Sequence, residues 1–117
     1  MAKVEHFEIP ADDINRAQSF YKTVLGFDYE PWGDDSGMLN QPESAGINGD
    51  LHQRGPVPHP TVVFTVDNIE QTVEAAIANG GAQLGEIQPL TETSRWVYIT
   101  DSEGNIIGLF DDSATAS

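Results

Sequence analysis

The sequence predicts an α+β fold made of two tandem strand–helix–strand–strand–strand units. Residues 6–27 (HFEIPADDINRAQSFYKTVLGF) and 61–82 (TVVFTVDNIEQTVEAAIANGGA) share one pattern at a shift of 55 positions. That shift aligns Phe7 with Val62, Ile9 with Phe64, Asp12 with Asp67, Ile14 with Ile69 and Gly26 with Gly81. Each copy opens on alternating apolar residues and then passes into apolar spacings of three and four, a strand followed by a helix. A helix with one apolar stripe covers one side of a small, largely antiparallel sheet, and that layering defines the class.

The elements follow in order. In residues 3–9, Phe7 and Ile9 share one strand face while Val4, His6 and Glu8 share the other. Asp12 or Asp13 supplies an N-cap, because a short side-chain oxygen accepts an orphan N–H of the first helical turn. Ile14, Ala17, Tyr21 and Val24 form the stripe of the first helix, widened by Phe20 and Leu25, and Gly26 ends it in the left-handed conformation. Met38-Leu39 and residues 45–51 are weaker strand candidates, and QRGPVPHP at 53–60 links the halves without room for a helix. In the second half, Val62, Phe64 and Val66 repeat the first face, and Thr61, Val63 and Thr65 the second. Asp67 or Asn68 caps a helix striped by Ile69, Val73, Ala76 and Ile77, and Gly80-Gly81 closes it. Residues 95–100 and 106–110 read as strands joined by the turn Asp101-Ser102-Glu103-Gly104-Asn105.

The chain's 117 residues suit one domain, residues 1–112, with modules of about 3–54 and 60–110 and a flexible tail at 113–117. Lys and Arg number 5 against 19 Asp and Glu, a net charge of −14. That balance excludes nucleic acid and anionic membrane surfaces as partners, since both are bound through basic side chains. Lys3 and Lys22 are the only lysines, a composition that suits work in high salt, where self-repulsion is screened. With no cysteine, disulfides, thiolate metal sites and thiol nucleophiles are excluded together. No apolar run approaches the roughly 18 residues of a membrane span, and Met1–His6 lacks a signal-peptide core, so the expected location is the cytoplasm. No glycine-rich phosphate loop and no G-x-S-x-G elbow occurs.

A resemblance enters on an ordered set of motifs. They are His6-x-x-x-Pro10-x-Asp12-Asp13-Ile14, Phe20-Tyr21-x-x-x-Leu25-Gly26-Phe27, Phe64-x-Val66-Asp67-Asn68-Ile69, Asn79-Gly80-Gly81-Ala82 and Tyr98-Ile99-Thr100-Asp101-x-Glu103-Gly104-Asn105-Ile106-Ile107-Gly108-Leu109-Phe110. Over residues 4–110 the chain resembles the vicinal oxygen chelate superfamily, which includes glyoxalase I, extradiol dioxygenases, methylmalonyl-CoA epimerase and bleomycin-resistance proteins. The resemblance implies two βαβββ modules forming a cupped mixed sheet, usually completed in a homodimer. It also implies four metal ligands, from the first and last strand of each module, that present a divalent ion to adjacent oxygens of a small molecule.

Carried over position by position, the resemblance puts His6 and Asp50 at the ligand places of module one. In module two the same places fall on Thr61, a poor ligand, and Gly108, which has no side chain. His52, two residues after Asp50 on the same strand face, is a candidate third ligand, giving a set of His6, Asp50 and His52. Glu8 shares the face of His6 and is a candidate proton shuttle beside a carbonyl. Trp32, Asn48, Thr61, Trp96, Tyr98 and Phe110 are candidate ligand-binding residues, the aromatic ones as recognition surface. Arg54 and Arg95 are candidate carboxylate clamps or surface ion pairs. The expectation is a glyoxalase-like protein that binds a small molecule in the cup without the full four-ligand site. The alternative is a metal-dependent lyase or isomerase using His6 with Asp50 or Glu8, on Zn, Ni, Mn or Fe.

Overall fold

The computed structural model describes residues 2–41 and 46–113, which group into two compact units: residues 6–61, and residues 62–113 with 2–5. The boundary falls at 61/62, and residues 2–5 join the second unit, where Thr65 Oγ1 donates to Glu5 Oε2 at 2.7 Å. Part of the expected segment 45–51 and of the tail, residues 45 and 114–117, lies outside the described residues.

The first unit is built from β1 (Lys3–Ala11), α1 (Ile14–Leu25), β2 (Asp28–Pro31), β3 (Ser36–Asn40) and β4 (Gly49–Gln53), in sheet order β2-β3-β4-β1. β1 runs parallel to β4, and the other pairs are antiparallel. Asp13 is the N-cap of α1, its side chain accepting the Arg16 N–H at 3.0 Å, and Gly26 closes the helix at φ 80°. Ala11, Leu39 and Leu51 are buried, and Phe7, Ile9, Ile14, Ala17 and Tyr21 pack against them. Val24, expected in that stripe, is exposed, as are Phe20 and Leu25. The chain reverses at Gly26, and Phe27 takes the place against the core, edge-on to both Phe7 and Tyr21.

The second unit contains β5 (Thr61–Thr65), α2 (Ile69–Ala78), β6 (Ala82–Pro89), β7 (Ser94–Thr100) and β8 (Ile106–Asp112), in order β5-β8-β7-β6. Again the first and last strands of the unit pair in parallel. Asn68 caps α2 through the Gln71 N–H at 2.9 Å, and Ile69 and Val73 bury against Val66, Val97, Ile99 and Leu109. Ile77, expected in the stripe, is exposed, while Ala76 packs. Asp111 is buried at the N-terminus of α2, where it accepts the Ile69 N–H at 2.9 Å.

Two strands carry no sequence signal. β2 is the short, charged segment DYEP, and its proline is tolerated because β2 is an edge strand. β6 (AQLGEIQP) is mostly exposed, and its ladder to β7 is interrupted between Leu84 and Gln88, around Gly85 at φ 79°. That bulge erases the alternation by which a strand is recognised.

Gly49 shows how tightly the first unit is packed. A Cβ there would lie 2.1 Å from Phe7 Cε2, so the phenyl ring occupies the space a side chain would need. Gly49→Ala is expected to destabilise the protein by about 1–3 kcal/mol through overpacking. In urea unfolding, the same substitution in a Phe7→Ala background should cost much less. Equal costs in the two backgrounds would contradict this packing.

Candidate functional site

The polar site residues come together through strand register. In the parallel β1–β4 ladder Glu8 is level with Asp50 and Pro10 with His52, while Phe7 is level with Gly49 and Ile9 with Leu51. Side chains alternate across a strand, so Phe7, Ile9 and Leu51 turn to the α1 side and His6, Glu8, Asp50 and His52 to the other. On that open face β3 adds Met38, level with Asp50, and Ser36, level with His52. These two escape a sequence reading; their signal is the alternation of buried Gly37 and Leu39 with half-buried Ser36, Met38 and Asn40.

His6 Nε2 stands 3.7 Å from Asp50 Oδ2 and 3.9 Å from Glu8 Oε2. One donor atom from each of His6, Glu8 and Asp50 lies within 4.8 Å of the others. His52 Nδ1 lies 2.8 Å from Asp50 Oδ1, the other oxygen of the carboxylate. Asp50 is buried, whereas the two histidines and Glu8 are half-buried. Burial raises the Asp50 pKa above the ordinary carboxylate value and the charge of Glu8 adds to it, against the hydrogen bond from His52 and the two imidazoles. The His52 pKa is raised by its hydrogen bond to Asp50, with burial opposing.

The register of the second unit identifies the matching positions there. Val63 is level with Gly108 and Thr65 with Phe110, as Glu8 is with Asp50 and Pro10 with His52, so β5 corresponds to β1 at the shift of 55 and β8 to β4 at a shift of 58. The places of His6, Glu8, Asp50 and His52 are thus filled by Thr61, Val63, Gly108 and Phe110. None of these is charged. A Cβ on Gly108 would lie 2.9 Å from Val63 Cγ2, so the strand pair is closed where a ligand residue would stand. Thr61 is buried and donates through Oγ1 to the His59 carbonyl at 3.3 Å.

The other predicted residues fall in several places. Trp96 and Tyr98 are half-buried on β7, edge-on with ring centroids 5.5 Å apart, and Phe110 is level with Trp96. All three share the face of the second unit turned away from α2. Trp32 is 60% exposed in the turn between β2 and β3. Asn48 accepts the Gln41 N–H at 2.9 Å through Oδ1 and so braces the approach to β4. Both candidate clamps are held in ion pairs. Arg95 forks onto Asp111, at 3.2 Å through Nε and 2.7 Å through Nη2, and also meets Glu70. Arg54 pairs with Asp12 at 2.8 Å and donates to the Pro58 carbonyl.

With the fold and the cluster in view, the relatives of the chain are consistent. Residues 3–38 match the family model described as bleomycin resistance protein-like N-terminal. A glyoxylase-like domain-containing protein of Didymella fabae is 25% identical over 113 residues, covering 88% of each chain. Among solved structures, a glyoxalase/bleomycin resistance protein/dioxygenase superfamily member from Vibrio splendidus 12B01 matches at TM-score 0.69 and 22% identity, over 96% of this chain and 100% of its own. A methylmalonyl-CoA epimerase of Streptomyces coelicolor, in complex with 2-nitronate-propionyl-CoA, matches at TM-score 0.69 and 16% identity, over 98% and 97%. A Mn(II)-bound glyoxalase from Novosphingobium aromaticivorans matches at TM-score 0.67 and 18% identity, over 98% of this chain and 41% of its own. These matches support membership of the vicinal oxygen chelate superfamily, and the chain has the α+β fold of the glyoxalase/bleomycin resistance protein/dioxygenase structures, with two βαβββ units. No helix among the described residues is long and apolar enough to cross a membrane.

The raised pKa values of Asp50 and His52 make the stability of the metal-free protein depend on pH. A group whose folded-state pKa lies above its unfolded value stabilises fully below the unfolded value, and loses that stabilisation as pH rises through the folded one. For His52 the loss begins above its ordinary 6.5. Urea midpoints measured in chelator at pH 6 and pH 9 should therefore fall more for the wild type than for His52→Asn. Parallel slopes for the two proteins would show that the His52–Asp50 bond is not coupled to folding.

Proposed function

We propose that this protein binds a small molecule carrying adjacent oxygen atoms at the His6–Glu8–Asp50 centre, and that a divalent ion on those three residues mediates the contact. The observation that carries the reading is the convergence of one imidazole and two carboxylates on a single sheet face. Donor spacing supports it. Two donors each about 2.1 Å from one ion are about 3.0 Å apart at a right angle, about 3.4 Å at the tetrahedral angle and about 4.2 Å when opposed. The distances of 3.7 and 3.9 Å from His6 fall inside that range. A nitrogen and two hard oxygens, with no sulfur, suit Mn, Fe, Ni or Zn.

His6 contributes a neutral ring nitrogen from β1, and Glu8, two residues on, an oxygen from the same face. Asp50 reaches across from β4 to complete the set. When bound, the ion supplies Lewis acidity, which stabilises negative charge developing on a ligand oxygen. All three donors come from the first unit, so the missing ligands at Thr61 and Gly108 are offset by Glu8 and not by a residue of the second unit. The Mn(II)-bound glyoxalase among the structural relatives supports the use of such an ion by this fold.

A second reading, a metal-free isomerase or lyase, is favoured by one observation. Asp50 is a buried carboxyl with a raised pKa beside a second carboxylate, as suits a group that passes a proton to and from a carbon next to a carbonyl. Metal dependence separates the two readings.

Titrating chelator-stripped protein with MnCl2 in a calorimeter should give about one equivalent bound. His6→Ala and Asp50→Ala should each weaken that binding about 100-fold or more, as expected for loss of one of three ligands, whereas Thr61→Ala should leave it unchanged. Acetohydroxamate, a small bidentate oxygen donor, should bind the Mn-loaded protein and not the stripped one. Binding of Mn by the wild type that persists in His6→Ala would move the ion elsewhere. Tight binding of acetohydroxamate to stripped protein would favour the metal-free reading.

A further inference from the structure

The two oxygens of Asp50 face different histidines, and the two distances have different meanings. Oδ2 is turned toward His6 Nε2 at 3.7 Å, a separation that leaves room for an ion between them. Oδ1 touches His52 Nδ1 at 2.8 Å. That is hydrogen-bond length, and it is shorter than the roughly 3 Å that separates two donors at right angles on one ion. An ionised carboxylate can only accept, so the hydrogen of this bond is carried by Nδ1. His52 reaches Asp50 from the same strand, two residues along. Its cross-strand neighbours are Pro10 on β1 and Ser36 on β3.

We infer that His52 is a positioning residue of the metal centre and not one of its ligands: its Nδ1–H holds Asp50 Oδ1, which turns Oδ2 toward His6 and Glu8. The inference rests on the reading given under Proposed function. The need for such a brace follows from the site itself. β4 lies between β3 and β1, so the backbone of Asp50 is fixed and only its side-chain rotation is left to set. Glu8 stands level with Asp50 on the same face, and two carboxylates in a partly buried site repel each other. Without a partner on Oδ1, that repulsion would swing the Asp50 carboxylate away from the centre. Hydrogen bonds from outside the ligand set orient ligating carboxylates in the same way at other metal sites, and their removal typically weakens metal binding 10–100-fold.

The test compares three full-length proteins, wild type, His52→Asn and His52→Leu, with MnCl2 as the probe. The Asn side chain places an N–H near the position of the imidazole Nδ1–H, and Leu removes it. Mn dissociation constants, measured by the EPR signal of free Mn, should rise 10–100-fold in His52→Leu and stay within about threefold in His52→Asn. Thermal midpoints of the metal-free proteins identify any loss of binding that comes from poor folding. Pulsed EPR of the bound ion should detect nitrogen from one imidazole in both the wild type and His52→Asn. Unchanged affinity in His52→Leu, in a wild type that binds Mn, overturns the inference and leaves the metal centre standing. Two coordinated imidazoles in the wild type, or equal losses in the Asn and Leu variants, make His52 a ligand and also overturn it. A wild type that binds no Mn removes the metal centre itself, and the inference with it.

Discussion

The site depends on the parallel pairing of β1 with β4. That ladder sets Glu8 level with Asp50 and Ile9 level with Leu51, and so decides which side chains enter the core and which enter the polar cluster. A slip of one residue in β4 would send Asp50 under α1 and Leu51 to the open face. The register is held from the core side. Leu51 is fully buried, and Phe7 fills the hollow left by Gly49, a fit that a shifted strand could not reproduce. Apolar packing on one side of the sheet thereby fixes the geometry of charge on the other.

The same ladder is built twice with different contents. Both units pair their first and last strands in parallel, and both lay one helix on the alternate face. At corresponding positions the first unit carries His6, Glu8, Asp50 and His52, and the second carries Thr61, Val63, Gly108 and Phe110. The backbone pattern has been kept while the polar chemistry is concentrated in one half. In the second unit the same face carries Trp96 and Tyr98 beside Phe110, an aromatic surface in place of a charged one. The charges of that unit serve its architecture instead. Asp111 joins the N-terminus of α2 to Arg95 on β7, and Arg95 in turn reaches Glu70.

The repeat was legible because periodicity and capping residues are local. The ends of α1 follow from Asp13 and Gly26, and the start of α2 from Asn68, without knowledge of what they pack against. β2 and β6 were not legible, since a four-residue edge strand with a proline and a bulged, exposed one lack the alternation that burial imposes. The helix stripes run past their packing, because Val24 and Ile77 have the right spacing yet are exposed, while Tyr21 and Ala76 meet the core. Within the site, the shared face of His6 and Glu8 was readable from alternation in one strand. The division of Asp50 between two histidines was not, because it depends on the register of a second strand and on which carboxylate oxygen turns which way. Most of the 19 acidic residues form a solvated coat, and that Asp50 and Asp111 are buried among them is visible only in three dimensions.

The central claim is that one unit alone holds a divalent ion. An anomalous-difference map from a crystal soaked in ZnCl2 tests it most directly. The account predicts a single strong peak within about 2.0–2.2 Å of His6 Nε2 and of one oxygen each from Glu8 and Asp50, with His52 hydrogen-bonded behind Asp50. A cluster without a peak, or an ion coordinated by His52 in place of Glu8, would contradict it.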